Sequence, residues 1–94
     1  STAKIKKTYH INSTIGDIMR DPIAWEKFKN FMSELEKRFS IPSYIDFMKR
    51  PERYIRNDCL RRMLFYYVRQ GADMEEVERM FYKFIEELNT GGDN

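Results

Sequence analysis

Tyr9-His10-Ile11-Asn12-Ser13-Thr14-Ile15-Gly16-Asp17-Ile18-Met19-Arg20-Asp21-Pro22 holds two helix starts within fourteen residues, and its reading decides the fold. Thr14 with Asp17 three residues on is a capping-box pattern: the hydroxyl meets an orphan amide at the helix start. The helix it opens can only be short, Ile15 to Arg20, because Asp21-Pro22 begins another. There the carboxylate caps, and proline fills the first helical position, where no amide donor is needed. Gly16, inside the short helix, leaves room for a close approach by another part of the chain.

Before this stretch, residues 4–12 alternate loosely and contain no cap, so we expect residues 1–12 to form an extended lead-in or linker. After it, Ala24, Phe28, Phe31, Met32, Leu35 and Phe39 recur with the 3.6-residue period of an amphipathic helix running to about Arg38. Ile41-Pro42 breaks it, Ser43 with Asp46 caps one short turn through Met48, and Arg50-Pro51 breaks the chain again. Residues 51–70 read as helix, with an interruption near Asn57-Asp58, where a new cap is available. Ile55, Cys59, Leu60, Met63, Leu64 and Tyr67 supply its buried side. Gly71 stands where a left-handed residue ends a helix. Asp73-Met74-Glu75-Glu76 is a second capping box, with Ala72 against Val77 as a hydrophobic staple. The last helix, Met74 to Leu88, aligns Val77, Phe81, Phe84, Ile85 and Leu88, and Thr90-Gly91-Gly92 ends it.

The expected fold is therefore all-α: a compact bundle of three main helices plus one or two short ones. Residues 13–89 make one domain and 90–94 a mobile tail. The composition agrees. Hydrophobic residues make up 41% of the 94, and seven Phe, six Tyr and one Trp are ample for one core, although 34% of residues are charged. Four Gly and three Pro are too few for a turn-rich all-β domain. A lone cysteine, Cys59, makes no internal disulfide, so packing must hold the fold. No apolar run approaches a membrane span and no signal-peptide pattern opens the chain, which leaves its localisation open. The opening Ser1-Thr2-Ala3, without an initiator methionine, leads us to expect a segment cut from a longer protein.

A net charge of +2 hides an asymmetry. Residues 49–69 carry Lys49, Arg50, Arg53, Arg56, Arg61, Arg62 and Arg69 against Glu52 and Asp58, a balance of +5; residues 70–94 balance at −5. Segments 58–70 and 74–88 should form a hairpin, and opposite charges on its two arms would favour that pairing through surface ion pairs worth about 0–1 kcal/mol each.

Chemistry is harder to find. Catalysis needs a nucleophile, an acid–base group and something to orient them. The single histidine, His10, lies in the lead-in, and Cys59 occupies an apolar helical position where a small buried side chain is the ordinary reading. Neither can assemble a zinc site, whose ligands come in threes and fours. Glu75/Glu76 and Glu86/Glu87 are adjacent pairs that point to different sides of a helix. We expect no catalytic, cofactor-binding or metal-binding residue. The candidate contact surface is Arg53, Arg56, Arg61, Arg62 and Arg69 with an exposed Tyr66. The caps Thr14, Asp21, Pro22, Gly71 and Asp73 are structural. Arginines interleaved with Tyr54, Phe65, Tyr66 and Tyr67 could grip phosphates and stack on bases. The wheel nevertheless spreads them over a charged face beside an acidic helix, so nucleic acid ranks below a protein partner.

The wording Ile11-Asn12-Ser13-Thr14-Ile15-Gly16-Asp17-Ile18-Met19-Arg20-Asp21-Pro22 resembles the small helical C-terminal domain that follows fibronectin-III-like domains in bacterial glycoside hydrolases and related secreted hydrolases. Leu60-Arg61-Arg62-Met63-Leu64, Gln70-Gly71 and the closing Glu86-Glu87-Leu88-Asn89 follow the same order. Members carry a Leu-Pro after the second helix, where this chain has Ser40-Ile41-Pro42 and a longer connection. The resemblance implies a non-catalytic accessory domain of a larger bacterial protein, a carbohydrate-active hydrolase. Its partner would be a neighbouring domain or another protein. It carries over no catalytic residue, only Thr14, Ile15, Gly16, Ile18, Asp21 and Pro22 as structural positions. The alternative is a free-standing helical protein that engages nucleic acid or a protein through its basic helix.

Overall fold

The local caps act where the sequence places them. In the computed structural model, which describes residues 8–49 and 52–90, the helices in chain order are α1 (Ile15–Met19), α2 (Pro22–Phe39), α3 (Tyr44–Met48), α4 (Glu52–Ile55), α5 (Leu60–Arg69) and α6 (Met74–Thr90). Thr14 and Asp17 form the full reciprocal capping box, Asp21 accepts from the amides of Ile23 and Ala24, and Ser43 accepts from Asp46 N–H. α5 ends in a Schellman motif: Gly71 at φ +108° lets Ala72 N–H reach the Tyr67 carbonyl and its own N–H reach Val68. The all-α class and the three main helices, α2, α5 and α6, hold. Three short helices accompany them rather than one or two, because residues 52–69 split at a turn over Arg56-Asn57. The expected break at Arg50-Pro51, residues 1–7 of the lead-in and residues 91–94 of the tail lie outside the described residues.

Packing follows the apolar stripes. α2 and α5 both lie against α6, α1 packs on α2, and α3 contacts α4 and α5. The core has an aromatic spine. Trp25 stacks on Phe28, Phe28 meets Phe84, Phe84 stacks on Phe31 at 4.3 Å, Phe31 meets Phe81 edge-on at 5.0 Å, and Phe81 leads through Tyr67 to Tyr66, Tyr44 and Phe47. Offset and edge-to-face pairs of this kind add about 0.5–1.5 kcal/mol each beyond burial. Tyr67, fully buried, accepts from Tyr44 N–H at 3.2 Å and donates to Met32 Sδ at 3.7 Å.

Several expectations need correction. Asp58 does not cap α5. The cap position is Cys59, half-buried and outside the helix, and its side chain makes no capping bond. The first α5 amides instead donate to carbonyls of the stretch before α1, Leu60 to Ser13 at 3.0 Å and Arg61 to Ile11 at 2.8 Å. In return Ile15 and Gly16 N–H donate to the carbonyls of Asp58 and Arg56 at 2.9 and 2.8 Å. Two helix starts thus satisfy each other's orphan amides. The second capping box is only half made: Asp73 accepts from Glu76 N–H, but the Glu76 carboxylate is taken by a two-point pair with Arg38 of α2, 2.7 Å at its longer contact. Among the described residues no ion pair joins α5 to α6, because the faces that meet in this hairpin are apolar and the charges point away from it.

The described part of the lead-in, residues 8–12, is not a bare extended strand. Ser13 N–H donates to the His10 carbonyl across a turn at Ile11-Asn12, and both Tyr9 and Ile11 are buried in the core. Asn89, near the end of α6, holds Tyr9 in place. Its side-chain oxygen accepts from Tyr9 N–H at 2.7 Å and its amide donates to the Tyr9 carbonyl at 2.9 Å. Asn89→Ala would strip the partners from both the N–H and the carbonyl of Tyr9, and we expect it to cost about 2 kcal/mol. The urea midpoint should fall with an unchanged slope, and exchange of the Tyr9 amide should speed up. An unchanged midpoint would count against this link.

Candidate functional site

α5 buries Leu60, Met63, Leu64, Tyr66 and Tyr67 and leaves Arg61, Arg62, Phe65 and Arg69 exposed. At about 100° per residue, Phe65 falls on the midline of the outer face. Arg61 and Arg69 lie about 40° to either side and Arg62 about 60° away. Phe65 is 41% exposed, an apolar side chain in water on the helix face that carries the three exposed arginines. α5 carries no acidic residue.

The arginines are held rather than spent. Arg61 Nε donates to Asn12 Oδ1 at 3.0 Å, so the turn before α1 steers this side chain without neutralising it. Arg62 Nε stands 4.0 Å from Asp58 Oδ1, while Asp58 Oδ2 accepts from the Tyr44 hydroxyl at 2.7 Å. The Tyr44 hydroxyl is pushed far above its ordinary range, first by burial and then by this carboxylate acceptor. Arg53 on α4 and Arg56 in the following turn are also exposed, and the Arg56 backbone accepts from Gly16.

Tyr66 does not belong to this surface. It is 7% exposed, its ring meets Tyr44, Phe47 and Tyr67, and its hydroxyl donates to the Pro42 carbonyl at 2.7 Å. α3 covers the side of α5 that would otherwise face water. Burial, with Asp46 and Glu36 nearby, raises the Tyr66 hydroxyl. On α5 the aromatic that reaches solvent is its neighbour Phe65, on the same face as the arginines; Phe47 on α3 and Tyr82 on α6 are exposed too, away from them.

Elsewhere the surface offers less. A groove of about 400 Å³ runs between α2 and α6, lined by Lys27, Asn30, Glu34, Glu87 and Thr90 over Phe31 and Phe84. Those two rings stack on each other and are 3–4% exposed, so neither presents a face for a sugar to stack on. Tyr82 is exposed on α6 beside Glu75, Glu78 and Arg79. Among the described residues no group of three or more His, Cys, Asp or Glu side chains is placed to hold a metal, and no helix is long and apolar enough to cross a membrane. His10 is exposed, and its Nδ1 accepts from Asn12 N–H.

Compared with protein-family models, curated proteins and solved structures, the chain finds no match.

Proposed function

We propose that this chain is a non-catalytic helical interaction domain that docks on a protein surface through the outer face of α5. The resemblance of Ile11–Pro22 to the accessory domains of bacterial carbohydrate-active hydrolases supports placing it in a larger protein of that kind. The observation that carries the docking reading is Phe65, exposed on the midline of α5 and flanked by Arg61, Arg62 and Arg69. Aromatic and arginine side chains are the types enriched in interface cores and among residues that dominate binding energy. The motif residues support the same reading, because they are occupied in holding α5. Ile11 and Ser13 supply carbonyls to its first amides and Asn12 steers Arg61.

Photocrosslinking tests this reading. Phe65→benzoylphenylalanine, illuminated in cells that make the protein, is expected to give discrete protein adducts, and the same replacement at Lys83 on α6 is not. Equal labelling at the two positions, or adducts to nucleic acid alone, would overturn the docking face. Hydrolysis of glycosides by the purified chain would overturn the non-catalytic assignment.

A further inference from the structure

We infer that the partner surface recognised by α5 is an acidic peptide segment of another protein, with one apolar side chain set between two carboxylates. This rests on the docking reading and gives it a ligand class. Arg61, Phe65 and Arg69 are spaced by four residues, which sets them about 6 Å apart along the helix axis. In an extended peptide, residues two apart lie on one face about 6.6 Å apart. A carboxylate, an apolar side chain and a second carboxylate at alternate positions therefore match the three in register. Arg62 remains to bind a third carboxylate or a backbone carbonyl.

Two features favour guanidinium–carboxylate recognition. Residues 50–69 contain six arginines and no lysine, although lysine supplies eight of the seventeen cations of the chain. Arginine presents a planar fork that pairs with a carboxylate in two-point fashion, whereas lysine is a point charge. The charge is also confined. α6 packs alongside α5 and exposes Glu75, Glu78, Glu86 and Glu87. A nucleic-acid strand, charged along its whole length, would run from α5 into that acidic neighbour. A peptide carries its charge only opposite the arginines. The outer face of α6 makes a poor complement in a second copy, because Arg79 and Lys83 are exposed there among the glutamates.

Titration of the isotope-labelled chain, followed by amide NMR, tests the inference. The probe is a capped peptide, Ser-Glu-Ser-Leu-Ser-Glu-Ser, compared with the same peptide carrying serine for leucine and with a ten-nucleotide oligothymidylate. The probe should shift the amides of Arg61, Phe65 and Arg69 saturably. Its affinity should fall about fivefold or more without the leucine or with Phe65→Ala. Arg61→Glu with Arg69→Glu should abolish it, and added salt should weaken it. These residues are exposed, so helix content measured by circular dichroism should stay unchanged in every variant. The inference is overturned by a probe that gives no saturable shift or shifts residues off α5. It is equally overturned by oligothymidylate binding the same amides more tightly, or by concentration-dependent shifts without probe that reveal a second copy on this face. Failure here with the position-65 protein adduct intact would discard the ligand class alone. Loss of both would discard the docking face.

Discussion

Raising the pH above 10 should unfold this protein in one transition, with tyrosinate absorbance and loss of helix moving together. Four tyrosine hydroxyls, those of Tyr9, Tyr44, Tyr66 and Tyr67, are raised, in each case mainly by burial. Tyr67 and Tyr44 are displaced furthest. The Tyr67 phenol sits at the centre of the core, and a Tyr44 phenolate would face the Asp58 carboxylate at hydrogen-bond distance. In the unfolded chain a phenol ionises near 10, so the unfolded state sheds these protons first. Stability is therefore complete below pH 10 and falls as pH rises towards the folded values. Each such tyrosine contributes about 1.4 kcal/mol per pH unit to that fall. Tyr44 and Tyr67, displaced furthest, sustain that fall over the widest pH range, against a whole stability of about 5–14 kcal/mol usual for this size. Circular dichroism and absorbance at 295 nm, recorded over the same pH series, give the check. Ionisation of these tyrosines near pH 10 with helix content intact would refute the coupling.

Acid acts on a different group. The Asp17 carboxyl is held below its ordinary value of 3.8, chiefly by the Thr14 N–H it accepts. Its contribution is complete above that value and is lost as pH falls through the lower folded one. This side chain is partly in water, so the acid effect should be small beside the alkaline one.

What the sequence reveals and what it hides divide along sequence separation. The starts of α1, α2 and α3 are readable because Thr14, Asp21 and Ser43 satisfy amides two or three residues away, and the end of α5 because Gly71 acts on its own turn. The start of α5 is not readable, because its capping acceptors are carbonyls of residues 11 and 13 and any residue type supplies a carbonyl. Glu76 fits a capping box by spacing, yet the nearby Arg38 offers a charged two-point partner that the cap amide cannot match. Tyr66 shows the same limit on the candidate site. The helical wheel places it at the edge of the apolar arc, and only the position of α3 decides that it is buried. Phe65 and the exposed arginines needed no such information, since they lie opposite that arc.

Replacing Gly16 should destabilise the fold in proportion to the size of the new side chain, and its mechanism differs from that at Gly71. A Cβ at Gly16 would stand 3.0 Å from the Arg56 carbonyl oxygen and 3.2 Å from its Cβ. That same carbonyl accepts from Gly16 N–H at 2.8 Å, so backing away from the methyl means losing a bond of the crossed helix starts. Alanine gains about 1 kcal/mol of helix propensity over glycine, which offsets part of the strain. Gly16→Ala should therefore destabilise by about 1 kcal/mol and Gly16→Val, whose branches have no room, by about 3 kcal/mol. At Gly71 a Cβ would meet nothing within 4 Å, but φ is +108°, where a side chain is strained whatever the space. Gly71→Ala should cost about 1–2 kcal/mol through conformation alone. Urea midpoints separate the two mechanisms. At position 16 the loss should grow steeply from alanine to valine, and α5 amides 60 and 61 should exchange faster. At position 71 the loss should leave those two amides at the rate set by global unfolding. Equal losses for Gly16→Ala and Gly16→Val would show that the contact with Arg56 yields, and that the two helix starts are not locked together by it.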